Sequence, residues 1–149
     1  MGRKLIALGW AACVVLGVYG CATGPKAEPP SLYKQLGGRE GIAIVVDDFV
    51  ANVVGDNRIN ARFKSLQPAQ VFKLKSHLAD QICDASGGPC AYVGRDMKTT
   101  HKGMGTTEAE WTATVEALVK PLDKNNVSAG AKTALLAALG PMKPDIVGQ

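Results

Sequence analysis

Apolar residues that return at every third or fourth position, in segments cut by glycine and proline, restrict this chain to helices. Ile42, Val45, Val46, Phe49 and Val53 form one stripe, spaced i, i+3, i+4, i+7 and i+11, which predicts a helix from about Arg39 to Val54. Gly37-Gly38 breaks the chain before it, after a short helix around Ser31 to Leu36, and Gly55-Asp56-Asn57 ends it. Val71, Leu74, Leu78 and Ile82 mark a second long helix opened by Pro68, whose missing N–H costs nothing at a first helical position. Thr107 and Glu110 make a capping box for a third stripe, Trp111, Val115, Leu118, Val119 and Leu122, which Pro121 should bend or shorten. Ser128 caps a last helix with Leu135, Leu136 and Leu139 inside, and Gly140-Pro141 ends it. At 149 residues, with 46% apolar but only 5% aromatic side chains, the chain suits one small all-α domain. Periodicity alone gives a helical bundle.

The first thirty residues have another character. Met1 to Lys4 is a basic head and Leu5 to Val18 an apolar run, which reads as a bacterial export signal over 1–20. Val18-Tyr19-Gly20-Cys21 resembles a lipobox, where the signal is cut before a cysteine that is then acylated, although Tyr19 stands where a small residue is preferred. A retained, uncleaved anchor is the alternative. Residues 21–30 carry three prolines and no apolar period, so they should form a flexible tether between the lipid on Cys21 and a domain over 31–149. Each buried acyl methylene contributes about 0.8 kcal/mol to membrane attachment. Ala22 after the cysteine resembles the choice in lipoproteins of the outer membrane, which places the domain at that membrane's periplasmic face.

Charge points to no nucleic acid. The whole chain is +4, and loss of Arg3 and Lys4 with the leader leaves 15 basic against 13 acidic residues, with no basic patch. Of four cysteines, Cys13 leaves with the leader and Cys21 takes lipid. In an oxidising periplasm Cys83 and Cys90 should be joined, a short closure contributing about 2 kcal/mol; a reactive dithiol is the competing reading. Their spacing is not CxxC, and no CxxCH motif for covalent haem attachment occurs.

His101 is one of only two histidines, and Met97, His101 and Met104 are spaced i, i+4, i+7, so on one helix they would share an apolar face ahead of the stop at Gly103. An imidazole flanked by thioethers, with no carboxylate at catalytic spacing, suits a soft ligand field better than general base work. A lone histidine on an apolar face is also commonly a core residue bonded to backbone, and spacing leaves both readings open.

The wider pattern is more specific. Gly87-Gly88-Pro89, Tyr92, Gly94-Arg95-Asp96-Met97 and His101 with Gly103 and Gly105 behind it resemble the proximal-histidine segment of group I truncated haemoglobins. Leu32 to Glu40, through Gly37-Gly38, is similar to that family's opening motif, and the resemblance covers about residues 31 to 148. It implies a 2-on-2 globin fold, two antiparallel helix pairs with non-covalent haem b between them, and makes His101 the proximal iron ligand through neutral Nε2. Phe63 then stacks on haem, and Met97, Leu74 and Leu78 line the pocket. Arg95, Tyr92 and Lys73 or Lys75 become candidates for the haem propionates. A surface charge is the alternative for Arg95.

The distal side departs from better-known relatives. Val50, Leu74 and Leu78 stand where the family often carries a tyrosine and glutamines. Loss of such a hydrogen bond, about 1.5–3 kcal/mol when charge-assisted, should weaken oxygen retention by roughly ten- to a hundredfold. His77 matches a position at which some cyanobacterial relatives place a sixth iron ligand. Three roles stay open for it: iron ligation, a hydrogen bond to a bound ligand, or pairing with a propionate. The resemblance thus implies binding of oxygen, nitric oxide or carbon monoxide. Nitric oxide dioxygenation or a peroxidase-like side activity is open, the former less favoured by the apolar distal set. A bis-histidine electron carrier or redox sensor with an unknown redox partner is the second reading, and a haem-free helical lipoprotein binding envelope partners the third.

Overall fold

A computed structural model of the protein describes residues 28–149, so the expected leader and lipobox, Cys21 and most of the expected tether lie outside the described residues. Within these described residues six α-helices follow one another: α1 Leu32–Gln35, α2 Gly38–Gly55, α3 Pro68–Ala85, α4 Met97–His101, α5 Glu108–Lys124 and α6 Ala129–Leu139. Short 3₁₀ segments at Asn60–Arg62 and Gly140–Asp145 join α2 to α3 and close the chain. Among the described residues there is no strand, only an isolated bridge between Thr106 and Val147, and no helix is long and apolar enough to cross a membrane.

Helix α2 is the centre of the fold, because its stripe is buried on two sides. Ile42, Val45, Val46 and Val50 join Leu36, Ile82, Cys83, Leu118, Leu122 and Leu135 in the main core. Val53, at the far end of α2, joins Ile59, Ala113 and Ala117 in a second cluster, and Phe49 packs against both. Each fully buried leucine or isoleucine, such as Ile42, Leu122 and Leu135, contributes about 1.5–3 kcal/mol relative to exposure. Helices α3 and α5 both pack on α2, while α4 makes its principal contact with the C-terminal 3₁₀ segment.

Two expectations for α5 need correction. Its buried seam is Ala113, Ala117, Leu118, Pro121 and Leu122, with Trp111, Val115 and Val119 only half-buried. Small residues win the inner positions because they let α5 approach Val53 and Ile59 closely. Pro121 does not shorten the helix, which continues to Lys124 with Pro121 fully buried. A proline removes the N–H that would serve the carbonyl four residues back. That carbonyl belongs to Ala117, and Asn52 of α2 donates to it from Nδ2 at 3.1 Å.

The start of the domain is locked onto the end of α3. The Tyr33 amide donates to the Ser86 carbonyl at 3.0 Å, and the Arg39 amide donates to the Tyr33 hydroxyl at 3.0 Å. Cys83 and Cys90 are bonded, their Cα atoms 5.8 Å apart, which ties α3 to the loop before α4. Gly88 lies inside this closure, where an added Cβ would come 2.5 Å from the Tyr33 ring and 2.6 Å from Cys83 Sγ. The second glycine of the Gly87-Gly88 pair is thus required by close approach.

Candidate functional site

Asp96 opens α4. Its carboxylate accepts the Thr99 amide at 2.8 Å, and that bond holds the carboxyl below its ordinary pKa. The helix lasts five residues, with Lys102 already extended, so Met104 falls beyond it and is 38% exposed. The expected three-residue face is therefore two residues, Met97 and His101. Met104 acts through its backbone: Arg62 donates to its carbonyl and lies 3.5 Å from Glu110. The C-terminus braces the same segment, since Gly148 donates to the Thr106 carbonyl at 2.8 Å and Gly105 to the Gln149 carbonyl.

His101 is half-buried, and its Nδ1 lies 2.8 Å from the Met97 carbonyl oxygen. A carbonyl only accepts, so Nδ1 is protonated, and in the neutral ring Nε2 then holds the lone pair. This is the arrangement by which a backbone carbonyl orients a metal-binding imidazole.

His77 lies on α3 with the opposite problem. Its Nδ1 is the one buried side-chain polar atom, among the described residues, without a hydrogen-bond partner. Its ring meets Tyr92 edge-on, the centroids 6.2 Å apart and the planes at 76°. Tyr92 donates its hydroxyl to the Arg95 carbonyl at 2.8 Å and its amide to Asp84 Oδ2 at 3.2 Å, and burial pushes its phenol pKa up.

The other expected residues divide. Leu74 and Leu78 are half-buried against the main core, and Phe63 is half-buried against the Val53–Ala113 cluster. The Arg95 side chain is exposed. Lys75 pairs with Asp47 of α2 at 2.9 Å, and Lys73 is exposed. Asp80 pairs with Arg39 at 3.0 Å.

Gln81 was not foreseen. One turn beyond His77, its amide nitrogen lies 3.4 Å from Met97 Sδ and 3.3 Å from Met142 Sδ. It thereby joins the helix of His77 to that of His101. Spacing i+4 from His77 was its only sequence signal. Gln81, Asp84, Ala85, Tyr92 and Met142 line a cleft of about 280 Å³. A larger open depression of about 490 Å³, at Asn52, Asp56, Asn57 and Lys120, includes neither histidine.

The profile of the bacterial-like globin family matches residues 31–147. The chain belongs to that family. It is 31% identical over 121 residues to a group 1 truncated haemoglobin of Mycolicibacterium paratuberculosis, covering 81% of this chain and 87% of that one. A group 1 truncated haemoglobin of Synechocystis is 30% identical over 125 residues, covering 80% of this globin and 98% of the relative. Among solved structures, the 2/2 haemoglobin of Synechococcus sp. PCC 7002, in the cyanomet state and with covalently attached haem, has a TM-score of 0.71 and 29% identity. It covers 80% of this globin and 100% of that chain. Truncated haemoglobin of Tetrahymena pyriformis in its Fe(III) form has a TM-score of 0.75 at 24% identity, again covering 80% and 100%, a likeness of fold. The helical order of this globin is that of the 2-on-2 truncated fold.

Proposed function

We propose that this globin binds one non-covalent haem b and takes diatomic gases at its iron, with Nε2 of His101 as the proximal ligand. The bond from His101 Nδ1–H to the Met97 carbonyl carries the reading, because in the neutral ring it leaves a single oriented lone pair on Nε2. Met97, Phe63, Leu74 and Leu78 would surround the porphyrin, and the exposed guanidinium of Arg95 suits a propionate. The haem would supply an iron centre for ligand binding or electron exchange. The chain supplies the imidazole, its tautomer and a water-poor surround. His101→Ala should abolish haem retention by the full chain, and wild-type haem content in that variant would remove the reading.

A second reading is favoured by one observation. Burying a polar nitrogen without a partner costs about 1–3 kcal/mol, and no hydrogen bond in the described structure engages Nδ1 of His77. On this reading the imidazole, not pinned at Nδ1, is available to iron as a sixth ligand, and the protein is a bis-histidine electron carrier or redox sensor. Split visible bands in the reduced protein that collapse in His77→Ala would support it; unchanged spectra would discard it.

The protein is further taken to be exported, cut before Cys21, acylated there and held at the periplasmic face of the outer membrane by the 21–30 tether. The leader pattern supports this. Mass spectrometry of the mature N-terminus tests it: a diacylglyceryl Cys21 is expected, and an intact Met1 end would overturn it.

A further inference from the structure

We infer that Tyr92 is a positioning residue for His77, setting how readily that imidazole occupies the sixth position on iron. The inference rests on the bis-histidine reading above and names the group that makes it work. His77 makes no hydrogen bond through its buried Nδ1, and its described aromatic neighbour is Tyr92, met edge to face at 6.2 Å. A ring without a hydrogen-bond tether is oriented by what it packs against, so the fixity of His77 is borrowed from Tyr92.

Tyr92 has fixity to lend. Its hydroxyl is tied to the Arg95 carbonyl at 2.8 Å, immediately before the cap of the His101 helix. Its amide is tied at 3.2 Å to Asp84, and Cys90, two residues earlier, is bonded to Cys83 beside that aspartate. Gly94 makes room for the ring, because a Cβ there would collide with the Tyr92 phenol. Three ties and one vacated Cβ thus hold a single aromatic ring, and that ring meets the second histidine of the chain.

A side chain held in its working orientation loses less freedom on ligation, so releasing it lowers occupancy of the bound form. Tyr92→Ala should shrink the split-band, six-coordinate component of the reduced spectrum and raise carbon monoxide association by about two- to tenfold, the range for freeing one ordered side chain. Tyr92→Phe keeps the ring but loses the hydroxyl tie to Arg95, and should shift both readouts in the same direction by less than Tyr92→Ala. Cys83→Ser/Cys90→Ser leaves the ring in place but loosens its loop, and should shift both readouts in the same direction by less. In a His77→Ala background, Tyr92→Ala should change neither readout, which a merely structural role would not achieve.

The experiment uses the full chain loaded with haem, with haem content measured for every variant. The inference is overturned if Tyr92→Ala matches wild type, if its shift persists undiminished without His77, or if the wild type shows no six-coordinate form. Should Tyr92→Ala fail to fold, the double serine variant decides: an unchanged spectrum overturns the inference. A wild-type chain that takes up no haem overturns the haem reading itself, a result separable from all of these.

Discussion

The carbonyl oxygen of Met97 lies 2.8 Å from Nδ1 of His101, while the sulfur of the same methionine lies 3.4 Å from the amide of Gln81. Backbone and side chain of one residue therefore do separate jobs. The first fixes a tautomer and the second joins α4 to α3. Met97→Leu should keep the first and lose the second, at less than about 1.5 kcal/mol for a volume-conserving exchange. Nitrogen NMR of His101 checks it: the Nδ1–H tautomer should persist, and an Nε2–H form would show that the carbonyl does not set the proton.

Asn52 stands in for the N–H that Pro121 lacks. Asn52→Ala should lose about 1–3 kcal/mol by stranding the Ala117 carbonyl. With Pro121→Ala the helix regains its own donor, so the same substitution should then be nearly silent. Denaturant unfolding of both singles and the double gives the coupling, and additive losses would contradict the account.

Gly88→Ala would drive a Cβ toward the Tyr33 ring and the Cys83 sulfur. Overpacking of this kind costs about 1–3 kcal/mol. Gly87→Ala puts a Cβ into open space, but its φ of 74° is strained for any side chain, so it should cost about 1–2 kcal/mol through the backbone alone. Thermal unfolding separates the two: adding Tyr33→Leu should relieve part of the loss in the Gly88 variant, leaving the Cys83 contact, and none of it in the Gly87 one.

Acid should loosen the ends of α2, α4 and α5 together. Arg58 holds the Asp56 carboxyl down at about 2, and backbone amides hold those of Asp96 and Glu110 below their ordinary values. A depressed carboxylate contributes stability that is present above its unfolded pKa and lost as pH falls through its folded one. Stability should therefore decline from about pH 4.5 downward, with the Asp56 share persisting to near pH 2. Asp96→Asn keeps a cap without a titrating group. Unfolding measured at pH 6 and pH 3 should show a smaller loss for that variant than for wild type.

The helices were legible because each is written locally. The Thr107–Glu110 capping box, Ser128 at an N-cap and Pro68 at a first turn all stand where the sequence places them. The end of α4 was less so: Met104 keeps helical spacing from His101, yet Lys102 turns out of the helix and the glycines at 103 and 105 take positive φ. The Lys75–Asp47 pair carried no local signal because its two members lie on different helices. Gln81 carried no motif, and only the meeting of α3, α4 and the C-terminal segment gives it two thioethers to face.

By itself the sequence determined the helices, their caps, the apolar stripe of α2 and His101 on a short helix between glycines, because propensity, capping and periodicity act over a few residues. Tertiary structure decided which faces are truly inside and who partners whom. Ala113 and Ala117 displace Trp111 from the seam of α5, Asn52 completes a helix broken on paper by Pro121, and Tyr92 meets His77 across fifteen residues of chain. Those outcomes depend on distances between elements, which no local pattern encodes.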